Sequence, residues 1–242
     1  MRNDPRFDKK GESEWSCAPL ETFVKNRPLS ETVFVTTDIE TTGSIKGNDR
    51  IIDIAAIKTK NNEILDQFET LVNPEKNISR TITRLTGITQ ETVKHAPVSE
   101  FVLPQYAEFL NDHIFVAHNS NFDYSFINYE LIRITGLGLR SPIDICTYRL
   151  AKKLLPNVKS RGVSGLIKHF DYQVEDRHRA MPDVKATLYF LDIFLKDLNR
   201  IGIKTLFELI EFQKEKITHK NMQKKLRVHQ RNKTRKSQQK IA

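Results

Sequence analysis

Four carboxylates and one imidazole lie in three short segments of this chain. The segments are Asp38-Ile39-Glu40-Thr41-Thr42-Gly43, His118-Asn119-Ser120-Asn121-Phe122-Asp123 and His178-Arg179-Ala180-Met181-Pro182-Asp183. Oxygen donors of this kind suit Mg²⁺ or Mn²⁺ better than zinc. Two such ions with a neutral histidine as general base are the parts needed to hydrolyse a phosphodiester. Asp38 and Glu40 are two residues apart at the end of an apolar run, so on a strand both project from one face. Paired acids repel unless a cation lies between them; the alternative is a strand end with both acids hydrated. Thr41, Thr42 and Gly43 favour a nucleotide seat, because small residues admit a close backbone approach and Gly43 is free to take a positive φ. Asp123 alone reads as a helix-capping acid. Beside Asn119 and Phe122, whose ring can stack on a base, a site role gains weight. Pro182 suits the first turn of a helix, which puts Asp183 on that helix and His178 on the loop before it. The polar stretch Glu175 to Arg179 argues against a core role for His178.

The elements that must carry these groups follow from hydrophobic pattern. Val33 to Asp38, Ile51 to Ile57 and Glu63 to Asn73 read as strands, with Lys60-Asn61-Asn62 as a hairpin turn. Asp53 in the second strand should face the same side as Ile51, Ala55 and Ile57, where a buried acid needs a partner; a structural role is preferred to a catalytic one. Short helical turns follow over Ile82 to Val93, and then a helix over Ser99 to Asn111. Next come a strand over Ile114 to Ala117, a helix over Asn121 to Ile134 and a fifth strand over Pro142 to Cys146. Further helices are expected at 147–155, 161–170, 183–198 and 203–216. Trp15, Leu20, Phe23 and Val24 suggest a short amphipathic helix. Strands followed by helix-separated strands give an α/β fold with a mixed five-stranded sheet flanked by helices.

The three segments resemble those of the DEDDh 3′–5′ exonucleases, a family that includes the proofreading subunit of bacterial DNA polymerase III, ribonuclease T and oligoribonuclease. The resemblance covers roughly residues 31–198 and implies a ribonuclease H-like fold. Relatives with tyrosine in place of the histidine have a shorter spacing to the last acid. No tyrosine occupies that region here, so His178 puts the chain in the histidine class. The resemblance implies that Asp38, Glu40, Asp123 and Asp183 hold two divalent ions, with Asp38 bridging them and His178 as base. It further implies that Thr41, Thr42, Gly43, Asn119 and Phe122 seat the last nucleotide. Leu85-Thr86-Gly87-Ile88-Thr89 resembles a segment bordering that seat, with Thr86 where some relatives have histidine. The implied activity is two-metal 3′–5′ hydrolysis of single-stranded DNA to nucleoside 5′-monophosphates. The alternatives are an exoribonuclease that trims RNA or short oligonucleotides, and a non-catalytic nucleic-acid-binding or polymerase-associated module.

The bulk properties are compatible with this. The chain of 242 residues is 38% hydrophobic, enough for a core. It has no apolar run long enough to span a bilayer. Met1 to Lys10 lacks the pattern of a secretory signal. Cys17 and Cys146 have no metal-binding spacing, which points to reduced thiols in the cytoplasm. From Gln213 to Ala242 eleven Lys and Arg face one acid, Glu215, a net +10; the other 212 residues hold 28 basic and 29 acidic residues, a net −1. The whole basic excess is therefore assigned to the tail, as a solvated end or an arm for phosphate backbones. The division expected is an N-terminal extension at 1–30, a catalytic domain at 31–198, and a C-terminal helix with a disordered basic tail at 199–242. The two ends are candidate docking elements for a polymerase or other protein.

Overall fold

The structure, a computed structural model, describes the backbone of residues 7–9 and 15–17, Val24, and residues 27–141, 143–174 and 178–214. Val33–Phe194 forms one compact unit, and the described residues on either side of it a second. In the smaller unit, β1 (Phe7–Lys9) pairs antiparallel with β2 (Trp15–Cys17). Trp15 therefore lies on a strand, not on the expected amphipathic helix; Leu20 and Phe23 lie outside the described residues.

The larger unit opens with β3 (Val33–Thr41), β4 (Ile51–Lys60) and β5 (Glu63–Leu71), an antiparallel meander. Asn61 and Asn62, at φ 49° and 67°, turn β4 into β5. Two-residue hairpin turns of this kind need positive φ, which asparagine tolerates. Two short helices follow, α1 (Arg80–Thr86) and α2 (Gln90–Val93), then α3 (Ser99–Leu110). The chain re-enters the sheet as β6 (Ile114–Ala117), parallel to β3, and leaves through α4 (Asn121–Thr135). The last strand, β7 (Asp144–Cys146), starts later than expected and runs parallel to β6. Then come α5 (Thr147–Leu154), α6 (Val163–Phe170) and α7 (Ala180–Arg200). The sheet order is β5-β4-β3-β6-β7, the mixed five-stranded sheet expected.

The core forms on both faces of this sheet. Val35, Ile39, Ile54 and Ala56 pack with Val102, Leu103, Tyr106, Phe126 and Ile127 of α3 and α4. Ala55 and Ile57 pack on the other face with Ala180, Met181 and Val184 of α7. Ile51, expected beside Ala55 and Ile57, joins the α3–α4 side instead. The β3–β4 register slips between Glu40 and Thr41, opposite this end of β4, and a one-residue slip reverses the facing of the residues beyond it. In the smaller unit α8 (Leu206–Lys214) is joined to the chain before Val33, with Leu206 N–H donating to Arg27 O at 2.9 Å. Among the described residues no helix is long and apolar enough to cross a membrane.

Candidate active site

The C-terminal half of β3 alternates in burial. Ile39 and Thr41 are buried while Asp38 and Glu40 are half-buried on the opposite face. Glu40 is the cross-strand partner of Asp53, and Asp38 that of Ala55, which sets the two ligand candidates beside the β4 face that receives α7. β6 ends next to this point, and its chain turns through Asn119 at φ 70° into α4. Asp123, in the first turn of α4, accepts the Ile39 N–H at Oδ1, 3.3 Å away. A backbone bond to the residue between Asp38 and Glu40 thus ties the second segment to the first.

The turn before Asp123 is fastened on its other side. His118 Nδ1 lies 2.9 Å from the Thr147 hydroxyl at the start of α5. The Ser120 hydroxyl donates to Asp144, which also pairs with Arg149. Asn119 is exposed, and half-buried Phe122 lies 5.7 Å from the Phe126 ring.

His178 stands in the loop before α7 at φ 64°, a conformation that a non-glycine residue holds only when its surroundings impose it. The restraint sits next door. Asp53, 1% exposed, accepts from Arg179 Nε at 2.9 Å and from Ala180 N–H at 3.2 Å, both at Oδ2. This carboxylate caps α7 from across the sheet and explains why the helix begins at Ala180 rather than at Asp183. The partner required for buried Asp53 is therefore Arg179. Glu40, His178 and Asp183 offer ligand atoms that all lie within 4.8 Å of one another.

The electrostatics of the cluster favour a cation. Burial pushes the Asp38 carboxyl well above its ordinary value, and the charges of Asp123, Asp183, Glu40 and Asp53 add to the shift. Burial also raises Asp123, to about 7, against the opposing pull of backbone hydrogen bonds that include the Ile39 N–H. Oxygen donors crowded until they resist ionisation are the environment that a divalent ion reverses. The donor set therefore fits such ions.

Several residues expected to seat a nucleotide have local work. A Cβ on Gly43 would lie 2.4 Å from Asp49 Oδ2, and Gly43 is not in the left-handed region. The space it leaves is filled by the Asp49 carboxylate, not opened by backbone freedom. Asp49 accepts the Ile45 N–H at 2.9 Å and the Thr42 hydroxyl at 3.1 Å, with Lys76 Nζ at 3.6 Å. Burial alone would raise this carboxyl; those hydrogen bonds and the lysine outweigh it and hold it below its ordinary value. The Thr41 hydroxyl donates to Gly43 O. Thr86 is buried, donating to Ile82 O at 3.0 Å and accepting the Ile88 N–H at 3.1 Å. Asp49 and Arg179 escaped the sequence reading, since neither belongs to a periodic pattern and Arg179 acts across the sheet.

A ribonuclease H-like sheet with acids from β3, α4 and α7 gathered at one end, and a histidine beside them, has the architecture of a divalent-metal-dependent phosphodiesterase. Residues 35–191 match the family model described as exonuclease, and the chain belongs to this family, as a DEDDh 3′–5′ exonuclease. It is 43% identical over 176 residues to the PolC-type DNA polymerase III of Caldanaerobacter subterraneus subsp. tengcongensis, covering 73% of this chain and 12% of the polymerase. To the PolC-type polymerase of Bacillus subtilis it is 37% identical over 193 residues, 80% of this chain and 13% of that one. The chain thus spans about an eighth of the length of these relatives. Among solved structures, exonuclease X in complex with 5′-overhanging duplex DNA is 25% identical, with a TM-score of 0.59 over 74% of this chain and 99% of that one. E. coli exonuclease I with a dT13 oligonucleotide shares the fold at 17% identity, with a TM-score of 0.63 over 71% of this chain and 42% of that one.

Proposed function

We propose that this chain removes nucleotides from the 3′ end of single-stranded DNA, releasing nucleoside 5′-monophosphates in a proofreading or repair setting. One observation carries the reading: a strand, and a loop and helix that follow it far later in the chain, bring ligand atoms of Glu40, His178 and Asp183 within 4.8 Å of one another. Asp38, Glu40, Asp123 and Asp183 are the ligands for two divalent ions, Mg²⁺ or Mn²⁺, which when bound acidify water and neutralise charge on the phosphodiester. His178, in its neutral form, takes the proton from the attacking water. Glu40 accepts a hydrogen bond from the terminal 3′-hydroxyl, which favours ends over internal positions. Asn119, exposed at the turn, and Phe122 border the terminal nucleotide, together with the backbone of Thr41, Thr42 and Gly43 and the segment at Thr86. The domain spans 31–198. The polymerase relatives support a polymerase as partner, docked through residues 1–30 or 199–242, in the cytoplasm.

The test is to incubate the purified chain and Mg²⁺ with matched single-stranded DNA, single-stranded RNA, duplex DNA and a dinucleotide. Mononucleotide release from the 3′ end, fastest on single-stranded DNA, is the expected result. Faster release from RNA would reassign the enzyme to exoribonucleases, and no release from any substrate would leave a nucleic-acid-binding module.

A further inference from the structure

The near-neutral charge of the 212 residues before Gln213 conceals a local imbalance. From Ile145 to Phe170 the chain carries Arg149, Lys152, Lys153, Lys159, Arg161 and Lys168, and no Asp or Glu. Basic character is therefore not confined to the tail. This stretch comprises the last residues of β7, then α5, α6 and the loop between them. The two arginines have partners inside the fold: Arg149 pairs with Asp144, and Arg161 donates to the carbonyls of Leu155 and Pro156. Lys152, Lys159 and Lys168 are exposed.

Local geometry connects this surface to the acids. The Thr147 hydroxyl and the Tyr148 ring both contact His118, the ring edge-on at 5.7 Å, and Arg149 reaches the Ser120 hydroxyl at 2.9 Å. The first turn of α5 therefore grips the segment that leads into Asp123. One turn further out, Lys152 Nζ lies 4.8 Å from the Tyr148 ring centroid. Residues at this spacing share a helix face, so an aromatic ring and an ammonium form a stripe on α5 that begins beside the segment leading into Asp123. Ammonium groups serve phosphates as sequence-independent point charges, and rings next to them accept bases.

We propose that α5, α6 and the loop between them form the track for the part of a single strand that lies 5′ to the nucleotide being removed. The inference rests on reading the site as an exonuclease for 3′ ends. The test is the full chain with Lys152→Glu, Lys159→Glu and Lys168→Glu together, compared with wild type on a single-stranded 20-mer and on a dinucleotide across a salt series. Each lost phosphate contact removes about 0.7 from the logarithmic salt slope on single strands, so three remove about 2, with KM for the 20-mer raised about tenfold at low salt. The dinucleotide has only one nucleotide 5′ to the one removed and cannot span the track, so its kcat/KM is expected to stay nearly unchanged. The triple Lys→Gln variant should lose less affinity than the triple Glu variant. An unchanged slope and KM on the 20-mer, with wild type cleaving both substrates, would overturn the track alone; so would an equal loss on the dinucleotide, which would place the effect in the catalytic centre. Wild-type protein that leaves both substrates intact would overturn the exonuclease reading and the track with it.

Discussion

The acids on β3 and the histidine before α7 face the same space but are held in different ways. Asp38 and Glu40 ride on a strand paired with β4 along its length, and the N–H of the residue between them is given to Asp123. His178 stands on a loop in the left-handed region, and one buried carboxylate, Asp53, fixes the two residues that follow it. Metal ligands must keep their mutual geometry, and a sheet provides that at little entropic cost once folded. The proposed base is held instead through the hydrogen bonds that Arg179 and Ala180 make to Asp53.

The sharpest way to break this contrast is to remove a proposed ligand on the strand. Asp38→Ala should lower kcat on a 3′-labelled single strand by about 10³-fold or more, since several kcal/mol of charge stabilisation are lost with the metal site. Undiminished mononucleotide release would sink the ligand assignment. His178→Ala should cost about 10² to 10⁴-fold, the usual contribution of a general base. Its pH–rate profile should also lose the limb that reports the base; a variant keeping both rate and profile would move the role elsewhere.

Loosening the pin should cost less. Asp53→Asn keeps the size of the side chain but weakens the hold on Arg179. A fall in kcat of about 10 to 100-fold is expected, as for other outer-shell partners, with KM little changed. Asp53→Glu should recover part of the loss, and a defect in KM alone would argue against positioning. Smaller still is a stability effect of pH. Asp123 has a folded pKa of about 7 against an ordinary 3.8. Its contribution is fully present below the ordinary value and is lost as pH rises through 7. Metal-free protein should therefore lose Tm from about pH 4 to 8, more than Asp123→Asn does, and Mg²⁺ should restore more Tm at pH 8 than at pH 5. The smallest effect on chemistry is expected from deleting residues 217–242, which should weaken binding to long strands and flatten its salt dependence while dinucleotide cleavage survives.

The sequence disclosed what local pattern controls. The β-branched run of β3, the Asn61-Asn62 turn and the Pro182 helix start were all readable, and with them the shared face of Asp38 and Glu40. What escaped depends on long-range packing. The bulge at Glu40/Thr41 that redirects Ile51 has no marker in the apolar run of β4. Gly43 looked like backbone freedom and proved to be room for Asp49. Arg179 looked like part of a polar loop, yet it meets a carboxylate 126 residues earlier in the chain. Apolar spacing places Trp15 on a helix, but backbone pairing with β1 decides its conformation.

The order in which the site's parts occur along the chain has a consequence for biosynthesis. Asp38 is synthesised 145 residues before Asp183, and α7 brings both His178 and Asp183. A nascent chain that has folded from β3 through α4 displays two of the three acidic segments and lacks His178. On the proposed assignment the site is therefore incomplete until α7 has emerged and packed against Ala55 and Ile57. The late helix makes completion of the fold the step that arms the enzyme.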